Sequence, residues 1–216
     1  MVKFCNVIRR LGAKDNDIKY FNHLLPLDVK TVVEPFGGSF AVIKHFYKDC
    51  NKYNFHINDT DQALFYVYKN YKDMLKIIED LSKTCIQDYQ DKQLQFAKHL
   101  MTLDIHEHIK RYIEYNYIIR GLFKPTYHHD NYNKDEIRIL DKALLTDLDY
   151  SLIFKMYHDD EKAFLYLDPP YIFSYYPHYE SQSTNPDMTQ IIVDIYKFMK
   201  TCKCKVLMVV NSLDIV

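Results

Sequence analysis

The apolar positions of this chain switch between two periods. "KTVVEPF", residues 30–36, is a short β-branched run closed by a proline and the glycine pair Gly37 and Gly38, which predicts a buried strand. "SFAVIKHFYKDC", 39–50, then carries apolar residues at helical spacing, with Ser39 placed to cap the helix. "FHINDTD", 55–61, predicts a second short strand that ends in acidic residues. "DQALFYVYKNYKDMLKIIEDL", 61–81, predicts one amphipathic helix with Leu64, Val67, Tyr68 and Tyr71 on a single face. Strand, helix, strand, helix from 30 to about 82 is the opening of a parallel, doubly wound α/β sheet.

Between 85 and 140 the pattern changes. "DKQLQFAKHLMTL" and "HIKRYIEYNYIIR" are charged and helical in character, and "KPTYHHDNYNKD" reads as a loop. This block is expected to be an inserted helical subdomain, with 1–84 and 141–216 forming the main domain. Strand signals resume with "KALLTDLDY", with "AFLYLDPPY", which two prolines stop, and with "CKVLMVVNS". Between the last two, "NPDMTQIIVDIYKFMK" has a helix-start signature and helical periodicity. Strands that are apolar without alternation indicate burial on both faces.

Composition narrows the class. With 216 residues, 48% of them hydrophobic, the chain can bury a core, and no run approaches the length of a membrane span. Charge close to a short apolar stretch in "MVKFCNVIRR" is unlike a secretion signal. Five scattered cysteines suit a reducing setting, cytosolic or nuclear in type, with Cys202 and Cys204 as buried thiols rather than metal ligands. His106, His108, His128 and His129 lack the context of a metal site, so no metal is expected. A net charge of −1 does not advertise a nucleic-acid binder. A local basic surplus does exist: Lys110, Arg111, Arg120 and Lys124 are interleaved with Tyr112, Tyr115, Tyr117 and Tyr127, a composition suited to phosphate contact and base stacking. A solvated helix with a tyrosine-rich buried face accounts for it equally well.

In open α/β sheets, ligands bind at the carboxyl ends of the strands. Three such ends carry unusual residues: Glu34 to Gly38 after the first strand, Asn58, Asp59 and Asp61 after the second, and Asp168, Pro169, Pro170 and Tyr171 after "AFLYL". Asp59 lies close to the spacing at which a carboxylate meets a nucleotide's ribose. Two consecutive prolines remove two backbone donors and present rigid carbonyl acceptors. With the Asp168 carboxylate and the flat face of Tyr171, that turn suits an exocyclic amino group on a planar base.

These residues resemble the Dam-type DNA adenine-N6 methyltransferases. "EPFGGSF" is similar to the family's glycine motif, "DPPY" to its catalytic motif, and "HINDTD" to the acidic stretch after its second strand. "RRLGAK", 9–14, resembles the amino-terminal G-G-K element, and "LDY", 148–150, the family's Asp-Phe pair. The resemblance implies a Rossmann-like methyltransferase sheet that transfers the methyl group of S-adenosylmethionine to adenine N6 in DNA. It implies that Arg10, Lys14, Glu34, Pro35, Phe36, Gly37, Gly38, Asp59, Asp149, Tyr150 and Asp168 line the cofactor. Asp168 and the carbonyl of Pro169 would accept hydrogen bonds from the target amino group, next to Pro170, with Tyr171 stacking on the flipped base. Block 85–140 would be the target-recognition region, contacting DNA through Lys110, Arg111, Arg120, Lys124 and Tyr127.

Two positions depart from the family pattern: Phe40 stands where a third glycine is expected, and Ala13 where the G-G-K element has its second. The family sheet has further strands beyond "VVNS", so the terminal strands are expected to be missing, with a homodimer or a second chain covering the edge. The alternative reading is a non-catalytic homologue that binds nucleic acid or protein. Phe40 separates the two, since a ring filling the pocket would exclude the cofactor and a ring in the core would not.

Overall fold

The computed structural model describes residues 6–8, 14–84, 98–114, 132–170 and 188–209. Its centre is a parallel sheet of β1 (Thr31–Glu34), β2 (Asn54–Asn58), β3 (Leu144–Thr146), β4 (Ala163–Leu167) and β5 (Lys205–Met208). The order is β3-β2-β1-β4-β5 with every pairing parallel, a doubly wound, Rossmann-like arrangement. Direction reverses between β1 and β4, and this is the switch point at which such sheets open a crevice.

Helices cover both faces. α1 (Ile18–Phe21), α2 (Ala41–His45), α3 (Gln62–Lys69), α4 (Tyr71–Thr84), α5 (Glu107–Ile113) and α6 (Lys134–Lys142) precede β3 in the chain. α7 (Tyr150–Tyr157) and α8 (Met188–Thr201) follow it. Val32, Phe55, Ile57, Phe164 and Tyr166 pack with α2 to α6 in one core, whereas Val33, Ala163, Leu165 and Leu167 pack with α7 and α8 in another. The alternation along each strand divides the two cores, and right-handed crossovers explain why the helices change face when the strand order reverses. All of β4 is buried, so its sequence shows no alternation of polarity, while β5 at the edge is half-buried throughout.

Two local expectations are corrected. The segment 61–81 is not one helix: α3 and α4 meet at Asn70, whose backbone (φ −119°, ψ 29°) is not helical. Leu64, Val67, Tyr68 and Tyr71 are nevertheless all buried, because the break preserves the apolar face. Nor does Ser39 cap α2. The capping position is Phe40, in the left-handed conformation at φ 41°, and the Ser39 hydroxyl lies 3.4 Å from Asp15 Oδ2 instead.

The block 85–140 lies within the β2–β3 crossover. Its described parts share the first core: Leu100, Ile109, Tyr112, Ile113, Tyr132, Ile139 and Leu140 are buried with the sheet's own residues, and α5 packs on α3. Tyr112 is buried among them and offers no stacking face, so for this residue the buried-face account holds. Among the described residues no helix is long and apolar enough to cross a membrane, and no cluster of metal-ligating side chains occurs. Cys204 is buried and Cys202 partly so, both as free thiols.

A buried polar chain crosses the second face. His56 lies between the Tyr157 hydroxyl, 2.9 Å from Nδ1, and Thr146 Oγ1, 2.7 Å from Nε2. Thr146 donates its own proton to Asn58 Oδ1 at 2.7 Å, so it must accept from Nε2–H, and Nδ1 is left to accept from Tyr157. The network therefore requires neutral imidazole, and burial pushes the His56 pKa down to about 4. Between pH 6.5 and 4 the unfolded chain takes up a proton that the folded chain refuses. The His56 contribution to stability is thus present above pH 6.5 and lost as pH falls, by on the order of 3 kcal/mol. Denaturant titrations across this range should show a shallower loss of stability in His56→Phe than in the parent.

Candidate active site

The site is built where β1, β2 and β4 end. After β1 the chain turns through Pro35, Phe36, Gly37 and Gly38. Gly37 donates its N–H to the carbonyl of Asn58, 2.7 Å away at the end of β2. A Cβ on Gly37 would stand 2.7 Å from Ile57 Cγ2 and 3.0 Å from both the Asn58 carbonyl oxygen and the Tyr68 hydroxyl. Glycine is required there by the protein's own close packing. Gly38 has φ 52°, which needs glycine for a different reason, and its N–H reaches Asp59 Oδ2 at 2.9 Å. The other Asp59 oxygen accepts from the Asp61 N–H at 3.0 Å. Asp59 is half-buried.

Asn58 ties two loops together. Its Nδ2 donates to the carbonyls of Pro35 and Leu148, both at 2.9 Å, and its Oδ1 accepts from Leu148 N–H at 2.8 Å. The Gly37–Gly38 turn and the 147–149 loop are thereby held at one side chain. Beyond it, the ring of Phe36 faces that of Tyr150 with centroids 5.8 Å apart. The Tyr150 hydroxyl donates to Asp194 Oδ2 at 3.1 Å, and burial with this carboxylate partner pushes its pKa up to about 12. Asp149 is exposed, and its Oδ1 accepts from Ser151 N–H at 2.9 Å as the cap of α7.

At the end of β4, Asp168 pairs with Lys14, Nζ to Oδ2 3.0 Å, the lysine being only 8% exposed. Pro169 is buried and Pro170 partly so. Lys14 is followed by Asp15, whose Oδ1 lies 2.7 Å from Lys44 Nζ and 2.6 Å from His45 Nε2. Burial alone would raise the Asp15 pKa, but the bond from His45 and the charge of Lys44 outweigh it and hold the carboxyl well below the usual range. Glu34 is buried, which pushes its pKa up to about 8, and its Oε1 accepts from Ile43 N–H in α2 at 2.8 Å. Phe40 is fully buried, its ring edge-on to Tyr68 with centroids 6.0 Å apart.

The structure thus gathers Lys14, Glu34 to Gly38, Asp59, Tyr150 and Asp168 to Pro170 at adjoining strand ends, with Asp149 at the start of α7. Arg10, Tyr171, Arg120, Lys124 and Tyr127 lie outside the described residues. Lys110 and Arg111 are on α5, and Lys110 Nζ is partly engaged by the carbonyls of Met101 and Leu103 at 3.1 and 3.5 Å. Sequence reasoning missed Asp15, Lys44, His56, Thr146 and Glu136. Two of the buried ones did leave a signal, as an ionisable residue inside an apolar run: Lys44 in "AVIKHF" and His56 in "FHIN"; Glu136, among the charged residues of "KDEIR", left none.

The model of the D12 class N6 adenine-specific DNA methyltransferases matches residues 11–153, which include Lys14, the glycine turn, Asp59 and Tyr150. The chain belongs to this family. It is also 25% identical over 226 aligned positions to the Type II methyltransferase M.CviBI of Paramecium bursaria Chlorella virus NC1A, covering 97% of this chain and 84% of the relative. Membership in the methyltransferase family agrees with the observed strand order and with the location of the site at the switch point.

Two substitutions probe this geometry. Gly37→Ala should lower stability by about 2 kcal/mol or more, since its neighbours are strand backbone and packed side chains. Asn58→Ala strips partners from Pro35, Thr146 and Leu148 and should cost on the order of 3 kcal/mol. Urea denaturation of each variant measures both losses.

Proposed function

We propose that this chain transfers a methyl group from S-adenosylmethionine to the N6 amino group of adenine in DNA. Family membership supports the substrate class, and one observation carries the reading to this chain: Asp168, followed by two prolines, is fixed by Lys14 beside the glycine turn and Asp59. The residues present suit a nucleoside cofactor. Asp59 is a half-buried carboxylate of the kind that meets ribose hydroxyls, the Gly37–Gly38 turn brings backbone close, and Phe36 with Tyr150 offers aromatic surface. Phe40, being wholly buried, has no surface to obstruct a ligand, which removes the main argument for a non-catalytic homologue.

When bound, S-adenosylmethionine supplies a sulfonium methyl carbon as electrophile and retains the carbon–sulfur electron pair on departure. The residues of the chain handle the poor nucleophile. The adenine N6 lone pair is delocalised into the ring, and acceptor contacts to its hydrogens favour a pyramidal nitrogen. In this proposal Asp168 and the Pro169 carbonyl make those contacts and stabilise the positive charge that grows on nitrogen. Lys14 keeps the Asp168 carboxylate in one orientation. The amino proton becomes acidic only as the new bond forms and then leaves toward Asp168 and solvent. An adenine inside a duplex cannot reach these groups, so it is flipped out, with Tyr171 as its stacking partner.

The basic residues of 108–128, including Lys110, Arg111, Arg120, Lys124 and Tyr127, are proposed to contact DNA, with block 85–140 as the target-recognition region. A homodimer or second chain covering the sheet edge belongs to the same proposal.

Calorimetry with S-adenosylmethionine should show binding, and absence of detectable binding would overturn the enzyme reading. Asp168→Asn should bind the cofactor yet transfer tritiated methyl to adenine-containing duplex at a rate lower by about 10²–10³-fold. Full transfer by this variant would sink the assigned role of Asp168.

A further inference from the structure

Glu136, in the first turn of α6, is fully buried, and both of its oxygens find partners outside its own helix. Oε2 accepts from the N–H of Val7 at 2.9 Å and Oε1 from the N–H of Ile8 at 2.7 Å. One carboxylate thus holds two consecutive amides 129 and 128 residues away in sequence. Burial pushes the Glu136 pKa up, offset in part by Lys44 and by these two amides. Core filling does not require a carboxylate here, because a methionine or leucine would occupy similar volume without the desolvation cost. What an apolar residue could not do is fix the main chain of Val7 and Ile8.

That segment is tied to the reactive end of the site through Asn6. Val7 and Ile8 bury their side chains fully, and Lys14 follows in the same chain with its ammonium at Asp168. Asn6 closes the arrangement by donating to Asp15 Oδ1 at 3.2 Å, next to Lys14. Asp15 is itself held by Lys44 and His45 of α2. The chain around Lys14 therefore has one anchor in α2 and a second in α6, which lies in the same β2–β3 crossover as Lys110 and Arg111.

We propose that Glu136 is a positioning residue for methyl transfer: by gripping the amides of Val7 and Ile8, it sets the contact of Asn6 with Asp15 and so holds the adjacent Lys14 against Asp168. The inference rests on the methyltransferase reading above and adds a residue that touches neither cofactor nor base. Its effect on the reaction passes through Lys14.

Two readouts test it on the whole chain. In Glu136→Gln the single amide oxygen serves one N–H, while the NH₂ group opposes the other. Turnover with S-adenosylmethionine and adenine-containing duplex should fall by about 30-fold or more, with KM for the duplex changed by less than about threefold. In a Lys14→Ala background the same substitution should cost less than about threefold, because the residue it acts through is gone. Equal losses in both backgrounds would overturn the proposal. Acylation of Lys14 by an N-hydroxysuccinimide ester, read by mass spectrometry, should be about tenfold faster in Glu136→Gln than in the parent, since a buried, paired amine becomes accessible. An unchanged rate would overturn the proposal whether or not the parent chain is active, whereas an inactive parent with faster Lys14 labelling in the variant would overturn only the methyltransferase reading. If Glu136→Gln does not fold, Glu136→Asp keeps both oxygens on a stem one methylene shorter. It should show the same acceleration of labelling in smaller degree, and none would overturn the proposal.

Discussion

The close approach of Gly37 to the end of β2 is the constraint on which the site depends. The loop after β1 can rest on Ile57, Asn58 and Tyr68 only because position 37 has no side chain. Once it does, several contacts follow from the geometry. The Gly37 N–H finds the Asn58 carbonyl, the Gly38 N–H finds Asp59, and the Tyr68 hydroxyl donates to the Gly38 carbonyl at 2.6 Å. The Asn58 side chain then reaches Pro35 and Leu148 and brings the third loop to the same place. A protein interior packs too densely to tolerate a displacement of this loop by the width of a methyl group.

Around that contact the chain buries several ionisable groups. Lys14, Glu34, Lys44 and Glu136 are all nearly inaccessible, and Asp15 is mostly so. Buried ionisable groups are costly when left without partners, but each here meets an ion-pair partner or backbone amides. The arrangement serves to orient main chain more than to add stability. Glu34 fixes the first turn of α2, Glu136 fixes residues 7 and 8, and Asp15 joins α2 to the segment carrying Lys14. The result is that the Asp168 carboxylate is held from a part of the chain remote in sequence.

Phe40 shows how a backbone conformation suited to glycine is met by another residue. The backbone there is left-handed, a conformation that glycine adopts freely and that costs another residue roughly 1–2 kcal/mol. Complete burial of an aromatic ring against Tyr68 offsets a cost of that size. The position demands a backbone conformation, and the phenylalanine meets that demand while serving the core.

Much of this was legible in the sequence. Apolar runs broken by proline and glycine defined β1, β2 and β4, because burial on both faces leaves no polar alternation. The strand-end motifs placed Asp59 and Asp168 at one edge, because parallel strands bring all their carboxyl ends together. Other features were decided by tertiary structure alone. Helical periodicity runs on through Asn70, so the break between α3 and α4 leaves no trace in it, and the Ser39 hydroxyl turns to Asp15 because Phe40 takes the capping place. The pairing of Lys14 with Asp168 and the grip of Glu136 on Val7 and Ile8 join residues far apart in the chain. The sequence determined which stretches bury and which ends carry chemistry, since both follow from local pattern. Which buried charge meets which partner was settled only by the fold, because that depends on distances between elements that no local periodicity encodes.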